Sequence, residues 1–352
     1  TESKRLSALP EHPEDYPIDF VVLWVDETDP EWLKEKAAYS TDNQSFNSRY
    51  NSNARYRDWD MFHYWFRAVE KYAPWVNNVF LVTYGHVPKW LNIEHPKLKL
   101  ISHKDFIPKE YLPTFNTRPI ELNIWRIPQL SEHFVFFNDD MFLCKKVSPE
   151  DFFRNGKPCE TAIIFANNIT MVDGIALHLA PIVDTAIINK HFDMREVVKK
   201  NIAKWLNIRY GSYNLMTLPL LMYHHFTGFL PLHLPYSYLK STFSVVWEKE
   251  TQICKSSSSH RFREIQDINQ WLMNYWQFAS GNFEPRSIKA GKCFQLHTIE
   301  NARAASNAVR NQKYKMVCLN DTIDEGQCFD DIVVTVNNSL DYILPRKSSF
   351  EL

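Results

Sequence analysis

The sequence is poor in glycine. Eight glycines occur among 352 residues and no two stand as G-x-G; their share is about 2%, against a usual share of about 7%. The loops G-x-G-x-x-G and G-x-x-x-x-G-K-[ST] cradle phosphates through close backbone approach, and both are absent. A nucleotide bound by this chain must be held another way. An excess of one charge is also missing. Lys plus Arg is 40 and Asp plus Glu is 41, a net charge of −1. That gives no electrostatic case for a nucleic-acid partner.

No run of 18 apolar residues occurs, so no transmembrane helix is expected. Residues 210–239 contain no Asp, Glu, Lys or Arg, but they carry Pro219, Pro231, Pro235 and the histidines His224, His225 and His233. That composition argues against a membrane span and reads as a buried wall or a membrane-facing edge. Residues 1–15 are polar and charged, and no signal peptide is read there. The six cysteines (Cys144, Cys159, Cys254, Cys293, Cys318 and Cys328) form no C-x-x-C and no zinc-finger spacing. They read as reduced thiols, with the disulfides of a secreted protein as the other reading.

Aromatic residues are plentiful, with 11 Trp, 16 Tyr and 24 Phe. Their burial can offset the entropy of ordering the chain, so disorder is not expected for most of it. The length fits one large domain or two smaller ones.

The run IDFVVLWV (18–25) reads as a buried strand. A polar turn follows, with Asp29 placed to cap a helix and Pro30 suited to its first turn. Residues 41–53 are Ser/Asn/Gln-rich and read as a mobile loop. A helix is expected over 58–72, with Phe62, Trp65, Phe66 and Val69 on one face. Strands are expected at 79–83, 99–102 and 134–137, with a helix over 119–127. Alternating strands and helices predict a mainly parallel α/β sheet. The second half reads as more helical, with candidates at 193–207, 264–278 and 300–313, and a flexible serine loop at 256–259.

Four segments could carry chemistry. The apolar strand FVFF ends in Asn138-Asp139-Asp140. In open α/β sheets ligands bind beyond the carboxyl ends of strands. Hard carboxylate oxygens there suit Mg²⁺ or Mn²⁺ bridging a diphosphate. The plain alternative is a polar turn. Asp26 and Asp29, after the first strand, could line a nucleotide site or serve only the turn and cap. Arg261 and Arg263 suit phosphate through bidentate guanidinium contacts, or simply sit at a solvated helix start. His233 lies among apolar residues, where a satisfied core histidine is the plain alternative.

The segments IDFVVLWVDETDP, ARYRDWDMFHYWFRAVEKYAPWVNNVFLVTYGHVPKWL and LPTFNTRPIELNIWRIPQLSEHFVFFNDDMF, followed by HRFREIQD, KMVCLNDTIDEGQ and LPRKSSFE, resemble the Stealth family. That family contains bacterial capsular-polysaccharide sugar-1-phosphate transferases and the catalytic subunit of N-acetylglucosamine-1-phosphotransferase. The resemblance is dense over 18–153 and returns in blocks towards the C-terminus. Two departures stand out: Asp26-Glu27 where the family often has Asn-Gly, and Tyr84-Gly85-His86 where it often has Asn-Gly-Gln.

The resemblance implies a GT-A-like nucleotide-sugar fold. Residues 16–165 would form the nucleotide-sugar half, and 166–352 a more helical acceptor-side half of the same catalytic domain. It implies metal-dependent transfer of a sugar 1-phosphate from a UDP-sugar to a glycan hydroxyl, with release of UMP. The catalytic positions fall on Asp58, His233, Arg263 and Arg261, with His233 or Asp58 as general base. The donor is expected on Val22, Trp24, Asp26, Asp29, Arg55 and Asn138. Mg²⁺ or Mn²⁺ is expected on Asp139, Asp140 and Asp321, the last within the pair Asn320-Asp321. The expected setting is the cytoplasm or the inner face of a bacterial plasma membrane, with a free or membrane-linked glycan acceptor. A glycosyltransferase releasing UDP and a non-catalytic carbohydrate-binding protein are the alternatives.

Overall fold

The computed structural model describes residues 16–40, 59–167, 170–172, 175–177, 179–322 and 329–352. The serine- and asparagine-rich stretch, Arg55, Asp58 and Cys328 lie outside the described residues.

The first strand forms as β1 (Ile18–Leu23), and all six residues are buried. It runs parallel to β2 (Val79–Thr83) on one side. On the other it runs parallel to β4 (His133–Phe137), while β3 (Leu98–Ser102) extends the sheet beyond β2. A strand covered on both faces reads as a continuous apolar run. Phe20 and Val22 enter one core with Phe62, Trp65, Phe66 and Val69 of the helix Phe62–Tyr72. Val21 and Leu23 enter the opposite core with Phe134, Phe243 and Tyr275. Alternate residues of one strand thus divide between two layers of helices.

Asp19 pins the amino ends of these strands together. Its buried carboxylate accepts from Asn77 Nδ2 (2.8 Å) and the Asn78 amide (3.1 Å), and from the Ser131 amide (2.8 Å). Three partners satisfy the charge that burial would otherwise penalise.

The second half adds strands that its helical reading did not anticipate. After the short β5 (Met141–Leu143), β6 (Tyr236–Leu239) joins the main sheet antiparallel to β4. The sheet order is therefore β6-β4-β1-β2-β3. A second sheet is built from β7 (Gly291–Leu296), β8 (Met316–Asp321) and β5, in that order. β5 and β6 have only three and four residues, too few for alternation to mark them as strands.

Other expectations change as well. The single helix over 193–207 breaks at Asn201 into Met194–Lys200 and Ile202–Trp205. The helix expected from 264 begins only at Trp271, and residues 261–270 form an irregular segment. The serine run is not a loop. It closes the helix Thr251–Ser259, with Ser257 and Ser258 buried. Ser258 Oγ accepts from Asn123 Nδ2 at 3.0 Å, and Ser257 Oγ accepts from the Ile268 amide at 3.2 Å. Small hydroxyl side chains let this helix lie close to its neighbours. The cysteines Cys144, Cys159, Cys254, Cys293 and Cys318 are free thiols.

Candidate active site

The chain leaves β1 for β2 on one side, and later returns from β3 to β4 on the other side of β1. This reversal opens a crevice beyond the carboxyl ends of β1 and β4, where ligands of open α/β sheets bind. Val22 pairs with Phe137, so residues 24–29 and 138–140 leave the sheet side by side. Because β6 is antiparallel, the loop before it reaches the same edge and delivers His233.

Asn138 to Met141 form a tight turn, closed by the Met141 amide on the Asn138 carbonyl at 3.2 Å. The turn sends the two carboxylates different ways. Asp139 is exposed, whereas Asp140 is half-buried. The Leu319 amide donates to the Asp140 carbonyl at 2.9 Å, which docks the turn on β8. Asp140 Oδ2 accepts from the Cys318 thiol at 3.3 Å and lies 3.9 Å from His233 Nε2. One ligand atom each from Asp140, His233 and Cys318 falls within 4.8 Å of the others. Asp140 Oδ1 is buried and has no hydrogen-bond partner among the described residues. His233 adopts φ +47°, the left-handed region, which non-glycine residues seldom occupy. Its amide is held by Tyr236 Oη at 3.2 Å.

The donor set fits the expected divalent cation in part. A buried carboxylate oxygen with an open lone pair suits Mg²⁺ or Mn²⁺, which commonly take one or two carboxylates and complete their shell with phosphate oxygens. The Cys318 thiol is the third member of the cluster. Burial, with the neighbouring Cys293 and Asp140, pushes it well above its ordinary value. It gives a hydrogen bond to Asp140 Oδ2. Asp321 sits on β8, where its Oδ2 accepts from Trp59 Nε1 at 3.0 Å. Asn320 Nδ2 donates to Gln295 Oε1 at 2.7 Å.

The loop after β1 is internally braced. Asp26 Oδ1 accepts from the Thr28 amide (2.9 Å) and Thr28 Oγ1 (2.6 Å). Burial works to raise this carboxyl, but the Thr28 bonds outweigh it and hold it below its ordinary value. Asp29 caps the helix Pro30–Tyr39, accepting from the Trp32 amide at 2.7 Å, with Pro30 in the first turn as expected. Val22 is wholly buried in the ladder between β2 and β4 and supports the site without facing it. Trp24 stacks on Phe62, ring centroids 5.8 Å apart.

His86 is a residue that the sequence marked only as a family departure. Its Nε2 accepts from the Asp26 amide at 2.8 Å, and its ring lies edge-on to Trp24. A backbone amide can only donate, so Nε2 carries the lone pair and Nδ1 the proton. Burial holds the imidazole below its usual value, against the pull of Asp29 and Asp26.

The arginines stand on a separate loop of the same edge. Phe262 stacks on Phe115, and both pack with Trp32, Val25 and Tyr84 beyond β1 and β2. Arg261 lies over the Tyr39 ring at 4.7 Å. Arg263 donates to Thr117 Oγ1 at 3.1 Å. The loop is anchored by buried Asp267, which accepts from the Glu264 amide at 3.0 Å and lies 3.4 Å from Arg118. His260 Nδ1 reaches the same carboxylate at 2.5 Å. Asn116 Nδ2 reaches the carbonyls of His260 (3.2 Å) and Phe262 (3.3 Å). The arginine pair thus belongs to a rigid loop and not to a solvated helix start.

Three conserved-region models of the Stealth proteins match this chain: region 1 over residues 16–44, region 2 over 55–160 and region 4 over 307–352. A capsular polysaccharide phosphotransferase WcwK of Streptococcus pneumoniae is 42% identical over 95% of this chain and 98% of its own length. The chain belongs to the Stealth family. An exopolysaccharide phosphotransferase cps2G of Lactiplantibacillus plantarum is 40% identical over 96% of each chain. A receptor polysaccharide phosphotransferase WefC of Streptococcus gordonii is 42% identical over 95% of this chain and 99% of its own. Membership of the Stealth family, with relatives of this kind, supports phosphotransfer as the class of chemistry. Solved structures match only loosely. A bifunctional glycosyltransferase WbbM aligns at TM-score 0.31 and 10% identity, over 95% of this chain and 52% of that one.

Proposed function

We propose that this Stealth protein transfers a sugar 1-phosphate, N-acetylhexosamine 1-phosphate first among candidates, from a UDP-sugar to a hydroxyl of a glycan acceptor. The product is a phosphodiester within a capsular or other surface polysaccharide, and UMP is released. The observation that carries the reading is the Asp140–His233 pair at the switch-point crevice, with Asp140 Oδ1 buried and unpartnered among the described residues.

On this reading the fold is GT-A-like, and the donor lies across the ends of β1 and β4, against residues 24–29 and Asn138. Residues 16–165 form the donor half and 166–352 the acceptor half. Asp140, together with Asp139 or Asp321, holds Mg²⁺ or Mn²⁺, which when bound supplies charge to offset the diphosphate. The acceptor oxygen attacks the β-phosphorus. The bond from that phosphorus to the bridging oxygen breaks, and UMP departs with the oxygen. His233 takes the proton of the attacking hydroxyl, as an imidazole can near neutral pH. Asp58 is the other candidate base. Arg263 faces the charge that develops on the transferring group, and Arg261, laid over Tyr39, holds the loop that presents it. A UDP-sugar donor sets the work in the cytoplasm, at the membrane if the acceptor is lipid-linked.

An ordinary glycosyltransferase on the same site would attack the anomeric carbon and release UDP. Chromatography of the nucleotide released from a panel of UDP-sugars, with mass spectrometry of the glycan, separates the two. UMP with a phosphodiester product is the expected result; UDP without one overturns the proposal. If no UDP-sugar turns over with any acceptor, the carbohydrate-binding alternative gains.

A further inference from the structure

Exposed apolar side chains are not spread evenly over this protein. Of the fifteen large ones among the described residues, six fall within the stretch 208–223: Ile208, Leu215, Met216, Leu218, Met222 and Tyr223. Ile208 is 93% exposed and Met222 78%. Scattered exposed apolar residues need no explanation, but a contiguous patch does.

The local geometry gathers these six. The helix Tyr213–Leu220 turns about 100° per residue, which puts Leu215 and Leu218 on one side and Thr217 away from them. Thr217 is buried, and its hydroxyl donates to the Ile164 carbonyl at 3.3 Å, fixing the helix to the body by that face. The chain continues as a turn past the helix, with the Tyr223 amide on the Leu220 carbonyl at 3.1 Å. Asn214 Nδ2 donates to the Asn207 carbonyl at 2.8 Å and brings Ile208 alongside.

The rim of this face is basic. Arg195 donates to the carbonyls of Met222 (2.9 Å) and Tyr223 (3.4 Å). With Lys199 it lines a cleft of about 230 Å³, whose other walls are Met194, Val198 and Leu221. Residues 193–225 carry Arg195, Lys199, Lys200, Lys204 and Arg209 against Asp193 and Glu196, in a chain whose net charge is −1, and Lys204 is paired with Glu284 at 3.2 Å. Glu196 is itself paired with Lys200 at 3.7 Å. The positive charge is therefore concentrated beside the apolar face.

We propose that this face docks on an anionic phospholipid bilayer. The apolar side chains enter the boundary between headgroups and acyl chains, and Arg195 and Lys199 meet lipid phosphates. A short amphipathic element with a cationic rim is the form such interfacial contacts take. No helix of the described residues is long and apolar enough to cross a membrane, so the contact is peripheral. A symmetric contact with a second copy would bring this basic rim against its own image, and charge opposes that. The proposal stands apart from the phosphotransfer reading, because vesicle binding has no product readout.

The test is flotation of the full chain with vesicles of phosphatidylcholine alone and of phosphatidylcholine mixed with phosphatidylglycerol. Binding to the mixed vesicles is expected, weakening with added salt. The double substitution Leu215→Asp, Met222→Asp should lower it about tenfold or more. Arg195→Gln with Lys199→Gln should remove the preference for the anionic lipid. All four side chains lie outside the candidate site, so thermal unfolding and turnover of a soluble acceptor should be unchanged. A wild-type chain that stays unbound with the mixed vesicles overturns the proposal. So does unimpaired binding by the Leu215/Met222 variant. A concentration-dependent dimer abolished by the same substitutions would assign the face to a second copy instead.

Discussion

The Cys318 thiol donates to Asp140 Oδ2 at 3.3 Å, while Asp140 Oδ1 stays buried without a partner among the described residues. One oxygen is oriented and the other is left open. Burial holds this thiol well above its ordinary value, which favours the protonated, donating form. Cys318→Val should remove the donor and raise the Mn²⁺ or Mg²⁺ concentration for half-maximal activity about 10-fold, as loss of a group orienting a metal ligand does. Cys318→Ser restores a donor and should recover most of that loss. A metal titration of activity checks both.

Asp140→Asn should lower kcat by about 100-fold or more, because the amide cannot supply the same charge. Thermal unfolding should change little, since the amide fills the same space. Chelation of divalent ions should silence the wild type and leave the variant's residual rate unaffected. A residual rate in the variant that still responds to chelation would move the metal away from Asp140.

The two arginines should separate. Arg263→Ala should cost about 100-fold in kcat, with a smaller change in KM, if its guanidinium meets charge that appears only in the transition state. Arg261 lies against Tyr39. Its loss should fall mainly on KM through looser packing of the loop. Steady-state kinetics of the two single variants tests the division.

Acid should destabilise this fold through a neutral buried histidine. His133 is 2% exposed, stacks on Tyr16 and bonds through Nε2 to the Gly156 carbonyl at 3.0 Å. Burial pulls it down to about 4. Between an ordinary value near 6.5 and that depressed one, the unfolded chain binds the proton and the folded chain does not. Stability therefore rises with pH across this window and is lost as pH falls through it. The loss is up to about 3 kcal/mol. His103, which burial pulls down to about 3, acts in the same sense, and Glu160, pushed up to about 7, in the opposite one, so the His133 share is the difference in slope between the wild type and His133→Gln in denaturant unfolding followed from pH 7 to pH 4.

The buried pair of Arg286 and Glu160, 2.7 Å apart, should be costly to break from one side. Glu160, at the end of a short strand Lys157–Glu160, also accepts from the Ser237 amide at 2.7 Å, so it ties that strand to β6. Arg286→Met should destabilise by about 3–5 kcal/mol, because it leaves the Glu160 carboxyl in the core without its cation, to be buried unpaired or protonated. Burial already pushes Glu160 up to about 7. The double variant Arg286→Met, Glu160→Leu should regain much of the loss, as chemical denaturation would show.

Much of the donor-side sheet was legible in the sequence. β2 spans the expected 79–83, and β1, β3 and β4 differ from expectation by one or two residues. Each is a short apolar run closed by a polar turn, a signal contained in a few consecutive residues. The Asp29-Pro30 cap is equally local. In the second half the signals compete. Ser256 to Ser259 resemble a linker in composition, yet Asn123 and Ile268 bury two of them within a helix. The expected start at Glu264 gave way to an irregular segment held by Asp267, whose partners include Asn116 and Arg118 from far along the chain.

The sequence by itself determined that a carboxylate pair follows an apolar strand, that glycine loops are absent, and which family the chain resembles. It left open which carboxylate does what. The turn at 138–141 separates the two: Asp140 turns in to meet His233 and Cys318, while Asp139 is exposed. Those partners lie 93 and 178 residues further on. His86 likewise meets Asp26 across 60 residues. Such pairings arise where the order of strands brings distant loops to one sheet edge, and no window of neighbouring residues contains that order.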